Sequence, residues 1–173
     1  MIQRWNHFWF QPAPPSDLAI CRIVFFSFLF LRSLSKDGTY WSYVDPLFWH
    51  PVGLFQRFHL APLHGDIAFY LETVWKLSLL SSAAGLLTRP STWFACGLGT
   101  YFLGIEQNFG SMQHSTALVV LLLCVFAVSR CGDALSLDGL LNPKSVRERD
   151  SEYHWPMKLG RTLLAFVYFG AAV

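Results

Sequence analysis

Glu72 and Lys76 stand four residues apart inside an otherwise apolar run, so on a helix they share a face and can pair. Arg22 is a second ionisable residue inside such a run, about one turn from its start. Charges placed in apolar surroundings are expensive, which makes both sites candidates for binding or catalysis. Each also has a plainer use: a mutual ion pair for Glu72 and Lys76, and for Arg22 a side chain reaching toward a nearby polar boundary. A third group comprises Glu106, Gln107, Asn108, Gln113 and His114, gathered between two apolar runs. A histidine there could donate to a developing anion or shuttle a proton near neutral pH. The plainer account is a connection that is polar because it meets water. His50, His59 and His64 have spacings that match no helical ligand pair, and only Asp66 lies near them. No metal is therefore expected. No phosphate loop, nucleophile elbow or HExxH segment is present.

The elements that would position these residues are apolar helices. Of 173 residues, 53% are hydrophobic and only 14% charged, against roughly a quarter charged in ordinary soluble domains. A net charge of +2 with no basic run argues against nucleic acid. Cys21, Cys96 and Cys124 lie within apolar runs and no C-x-x-C occurs, so the cysteines read as small hydrophobes. Apolar runs cover about residues 18–34, 67–87, 93–105, 115–128 and 159–173. Ser16 or Asp17 is expected to cap the first, and Arg89-Pro90 to end the second. Between the first two lies an aromatic segment broken by Pro46, Pro51 and Pro62. The predicted fold is all-α: a polytopic transmembrane bundle of about five spans, with that aromatic segment at the interface. Lys and Arg positions favour one side, eight against three, which places the N-terminus in the cytoplasm. The partner expected from this pattern is the lipid bilayer, as an integral protein of an inner (plasma) membrane if the source is bacterial.

Several segments together resemble one family. Residues 15–26 (PSDLAICRIVFF) are similar to its opening helix, and residues 85–91 (GLLTRPS) to the exit of its second. Gln113-His114-Ser115 is followed about twenty residues on by LSLDGLLN at 135–142, which contains Asp138. Trp155-Pro156, Arg161 and VYFGAAV at 167–173 follow. The pattern is similar to the vitamin K-dependent gamma-carboxylases and their relatives with a horizontally transferred transmembrane (HTTM) domain. The resemblance implies a lyase-type enzyme. In that family quinol oxidation to an epoxide drives carboxylation of peptide glutamate. Reduced vitamin K or another quinol would be the cofactor, His114 would stabilise the reacting groups, and a peptide would be the substrate. Arg22, Glu72, Lys76, Glu106, Gln113 and Asp138 would be the accompanying polar residues. The family's base lysine is expected just past Val173, so the chain reads as an inactive N-terminal part of a longer protein. The alternative is a non-catalytic binding, transport or scaffold protein on the same fold.

Overall fold

The computed structural model describes residues 2–110, 114–141 and 151–172. These residues are all-helical, without strands. Helix α1 covers Ile2–Trp9, α2 Pro15–Leu34, α3 Leu54–Arg57, α4 Gly65–Ala84, α5 Thr88–Ile105, α6 His114–Val128, α7 Leu137–Leu141 and α8 His154–Ala172.

Local chemistry explains most of the boundaries. Pro15 opens α2, where its fixed φ suits a first turn and its missing N–H is no loss. No side chain caps that end, so the cap expected from Ser16 or Asp17 is not the device used. α4 ends earlier than Arg89-Pro90: Gly85 takes a left-handed conformation (φ 72, ψ 34) and its N–H reaches Ser81 O. Pro90 then falls in the first turn of α5, where proline is tolerated. Between α2 and α4 the chain makes short 3-10 turns at Gly38–Ser42 and Pro46–Phe48, each begun by an aspartate side chain accepting from a backbone N–H.

α4 packs against α2 on one side and α5 on the other, and α5 leads on to α6 and α6 to α8. The start of α2 meets the end of α4, so the two run antiparallel. The core holds Phe26, Leu29, Leu79, Leu103 and Leu123, with Trp75 stacked on Phe102 at 5.5 Å and Phe25 on Phe126 at 5.1 Å. The bundle therefore has two ends. One carries the α4–α5 turn and residues 129–141; the other carries the 35–64 connection and the 3-10 turn Glu106–Phe109 that follows α5.

The five-span membrane fold is corrected here. Among the described residues no helix is both long and apolar enough to cross a membrane. The two 20-residue helices each carry three charged residues: Asp17, Arg22 and Arg32 on α2, and Asp66, Glu72 and Lys76 on α4. α6 is free of charge but has only 15 residues, about 22 Å at 1.5 Å per residue against a hydrocarbon layer of about 30 Å. α5 is interrupted by Ser91, Thr92, Gly97, Gly99 and Thr100, and α8 carries Lys158 and Arg161. The apolar average that suggested spans does not register where along a helix the charges fall. The integral-membrane assignment and the sidedness drawn from lysines and arginines fall with it. What does stand is an unusually apolar exterior, with Phe28, Leu31, Phe69, Leu77, Trp93 and Phe94 all exposed.

Candidate functional site

The polar residues separate into two clusters, one at each end of the bundle. At the first end Arg22 is fully buried. Its Nη1 donates to Cys131 O and its Nη2 to Leu135 O, both at 2.7 Å. Nε is buried without a partner. Burial pulls the guanidinium's pKa down, and Cys131 and then Asp138 oppose that. Arg22 thus ties the 131–135 loop to α2.

Asp138 works beside it. Its carboxylate accepts from Leu87 N at 2.9 Å, Thr88 N at 2.6 Å and Thr88 Oγ1 at 2.8 Å. Those N–H groups lie at the start of α5, so Asp138 caps that helix from 50 residues away. Ser136 Oγ donates to Gly132 O and accepts from Gly139 N, closing the loop on itself. Most of the S-x-D-G-L-L stretch read as a family signature is therefore an architectural clamp in this fold.

Burial pushes the Asp138 carboxyl up, but the Thr88 and Leu87 hydrogen bonds and Arg22 outweigh it, and the net pKa lies below the ordinary 3.8. A depressed folded-state value contributes stability that is present above the unfolded pKa and lost as pH falls through the folded one. Asp138→Ala should cost about 1–2 kcal/mol at pH 7, the range for a lost helix cap. Thermal melts of both proteins should converge below pH 3.8. A gap that stays constant down to pH 2 would show that the carboxylate charge is not what stabilises the cap.

At the opposite end Glu72 is buried and both its oxygens are engaged. Lys76 Nζ lies 2.7 Å from one, and Gly38 N donates to the other at 3.0 Å. A Cβ at position 38 would stand 2.9 Å from Phe102 Cδ1 and 3.0 Å from Glu72 Oε2, so only glycine lets this backbone reach the carboxylate. Glu106 pairs with Lys36, whose Nζ is 2.5 Å and 2.7 Å from its two oxygens. Lys36, Gly38, Glu72 and Glu106, with Trp41 and Trp75, line one small cavity of about 20 Å³. Aromatic contacts close the 35–64 connection over this end: Trp41 stacks on Phe109 at 4.9 Å, and Phe55 lies 5.7 Å from Tyr101. Asn108 fastens the same segment, accepting from Val52 N at 2.8 Å while its carbonyl accepts from His50 N at 2.9 Å.

His114 opens α6 at this end, but its side chain lies outside the described residues, as does the whole of Gln113. His64 and Asp66 approach at 4.0 Å on the exposed surface. No group of three or more potential metal ligands gathers among the described residues. Glu72 and Glu106 line one cavity, with Lys76 paired to Glu72, whereas Arg22 and Asp138 belong to the other end. Sequence reasoning missed Lys36, the partner of Glu106, and Gly38. No local signal points to either, since each partner is far away in the chain.

A third feature is apolar. α2, α6 and α8 leave a groove of about 480 Å³ between them, lined by residues such as Val24, Phe28, Leu122, Val125 and Leu164. Its volume falls in the range of small-ligand sites, roughly 300–1,000 Å³. The polar cavity has room for about one water. No family model, curated protein or solved structure matches this chain. Function has to be argued from these three features.

A quinol can be tested against them. Its ring does not fit the cavity that holds Glu72 and Glu106, and neither residue lines the 480 Å³ groove or the open clefts of about 340 Å³ beside Asn108 and 530 Å³ beside Ser136. These two carboxylates therefore line no described cavity with room for a quinol, and no catalytic step through one is derived.

Proposed function

We propose that this chain is a helical ligand-binding module that holds an elongated apolar ligand in the groove between α2, α6 and α8. The observation that carries this reading is the contrast between that 480 Å³ groove and the 20 Å³ polar cavity. The described members of the two polar clusters already have protein partners: Arg22 two carbonyls, Asp138 the start of α5, and Glu72 and Glu106 their lysines. Such groups hold the bundle in shape, and the shape makes the groove.

Binding of a neutral, environment-sensitive apolar dye tests this. One equivalent should bind saturably and be displaced by a long-chain quinone. Val24→Trp fills the groove, and binding should weaken about tenfold or more, as for a ligand that loses its apolar pocket. Circular dichroism would confirm that the variant stays helical. Dye uptake that never saturates, or that Val24→Trp leaves unchanged, would mean general adhesion to the apolar exterior and would end the proposal.

A second reading is favoured by the two lysine–carboxylate pairs at the end where α6 begins with His114. It is the quinol-using carboxylase suggested by the resemblance, in which quinol, oxygen, carbon dioxide and a glutamyl side chain give epoxide, water and γ-carboxyglutamate. A longer protein that supplies the base lysine, incubated with vitamin K hydroquinone, bicarbonate and a glutamyl peptide, should then yield epoxide above a no-protein control. His114→Ala should abolish it. Without that epoxide, the reading has no support.

A further inference from the structure

Among the described residues, Arg161 on α8 is the one charged residue of the groove wall, and no acidic side chain lines it. Arg161 is exposed, and no carboxylate among the described residues is bonded to its guanidinium. The surroundings add to the positive field. Lys158 lies one turn before Arg161 on α8, its Nζ 4.1 Å from the Phe8 ring centre. His154 is disfavoured as a cation first by burial and then by Lys158 and Arg161, as expected where positive groups crowd together. The rest of the described wall is hydrocarbon and aromatic, apart from the Cys21 thiol and the Met157 thioether.

We infer that the groove takes a long-chain fatty-acid anion, its carboxylate on Arg161 and its chain along α2. This rests on the ligand-binding reading above and adds the chemical class of the ligand. An unbranched chain suits a groove that runs along three helices, because it follows the wall of Val24, Phe28 and Leu164 without needing polar partners. The planar guanidinium offers two parallel donors, the geometry that a carboxylate accepts best. A neutral ligand would gain no charge pairing from Arg161, and a cation would be repelled by it and by Lys158. The commitment to an anion therefore comes from charge complementarity, and the commitment to a chain from the shape and lining of the groove.

Cys21 reports on occupancy. Its exposed thiol lies in the groove wall, whereas the exposed Cys124 does not line the groove. Maleimide labelling of the full chain, resolved by peptide mass mapping, gives the modification rate at each thiol separately. Hexadecanoate, kept below its micellar concentration, should slow labelling of Cys21 saturably and leave Cys124 unchanged. Hexadecanol, with the same chain and no charge, should protect far less. Arg161→Gln, a surface substitution that leaves the core untouched, should raise the hexadecanoate concentration needed for protection about tenfold, the worth of one charge-assisted pair.

Equal protection by hexadecanol, or undiminished protection in Arg161→Gln, would overturn the anionic ligand while leaving an apolar-binding groove intact. No protection by either amphiphile would overturn both. Cys21 labelling that slows with protein concentration alone would show a second copy of the chain covering the groove, and would overturn the fatty acid as its occupant.

Discussion

Arg22→Met should destabilise the protein by about 3–5 kcal/mol, the range for removing one partner from a buried charged network. The side chain is fully buried and makes two 2.7 Å hydrogen bonds to Cys131 O and Leu135 O. Methionine nearly matches its volume, so the core stays filled while two buried carbonyls lose their donors. The loss lies in those unsatisfied acceptors more than in packing. For a chain of this size it corresponds to a fall in melting temperature on the order of 10 °C. Arg22→Lys should recover little, because a single compact ammonium does not span two carbonyls as the planar guanidinium fork does. A loss below about 1 kcal/mol for Arg22→Met, by denaturant titration, would mean that the 131–135 loop is held by something else.

Gly85→Ala should be about as damaging, for a different reason. Gly85 has φ 72, a region that a side chain disfavours by roughly 1 kcal/mol. The new methyl would also lie 2.4 Å from Ser136 Cβ, 2.7 Å from Ser136 Cα and 3.0 Å from Arg22 Nη2. Backbone is the hard neighbour here, so the 135–138 loop must move away from α4. That movement strains the Arg22 bonds and the Asp138 N to Gly85 O hydrogen bond, now 3.0 Å. Strain and lost bonds together should total about 2–4 kcal/mol. In the double variant Gly85→Ala, Arg22→Met the two losses should add to less than their sum, since both release the same loop. Simple additivity in a double-mutant cycle would show that the two residues are energetically independent.

Much of the helical layout was legible before the structure. The apolar runs at 18–34 and 115–128 became α2 and α6 with small changes of boundary, because a helix is closed by hydrogen bonds within four residues. The 3-10 turn Pro46–Phe48 and Leu54–Arg57 are short pieces among the prolines at 46, 51 and 62. Boundaries went wrong where two signals competed. Arg89-Pro90 reads as a stop, yet Gly85 had already ended α4, and proline in a first turn of α5 is no obstacle. The membrane assignment failed because composition averages over a helix, whereas crossing a membrane needs both length and unbroken apolarity in one segment.

The polar sites were only half legible. Glu72 and Lys76 could be paired from spacing alone, since residues four apart meet on one helical face. Arg22 stood out by its apolar neighbours, but its partners are 109 and 113 residues away, and Lys36 is 70 residues from Glu106. The cap that Asp138 provides to α5 resembled a signature motif because nothing in the motif names the helix it serves. By itself, then, the sequence determined the helices, the polar residues set within apolar runs and the Glu72–Lys76 ion pair, which fits within a single helical turn. The tertiary structure alone decided which groups are spoken for and where open space remains. Side chains far apart in the chain meet only after the helices pack, and a groove belongs to three helices at once.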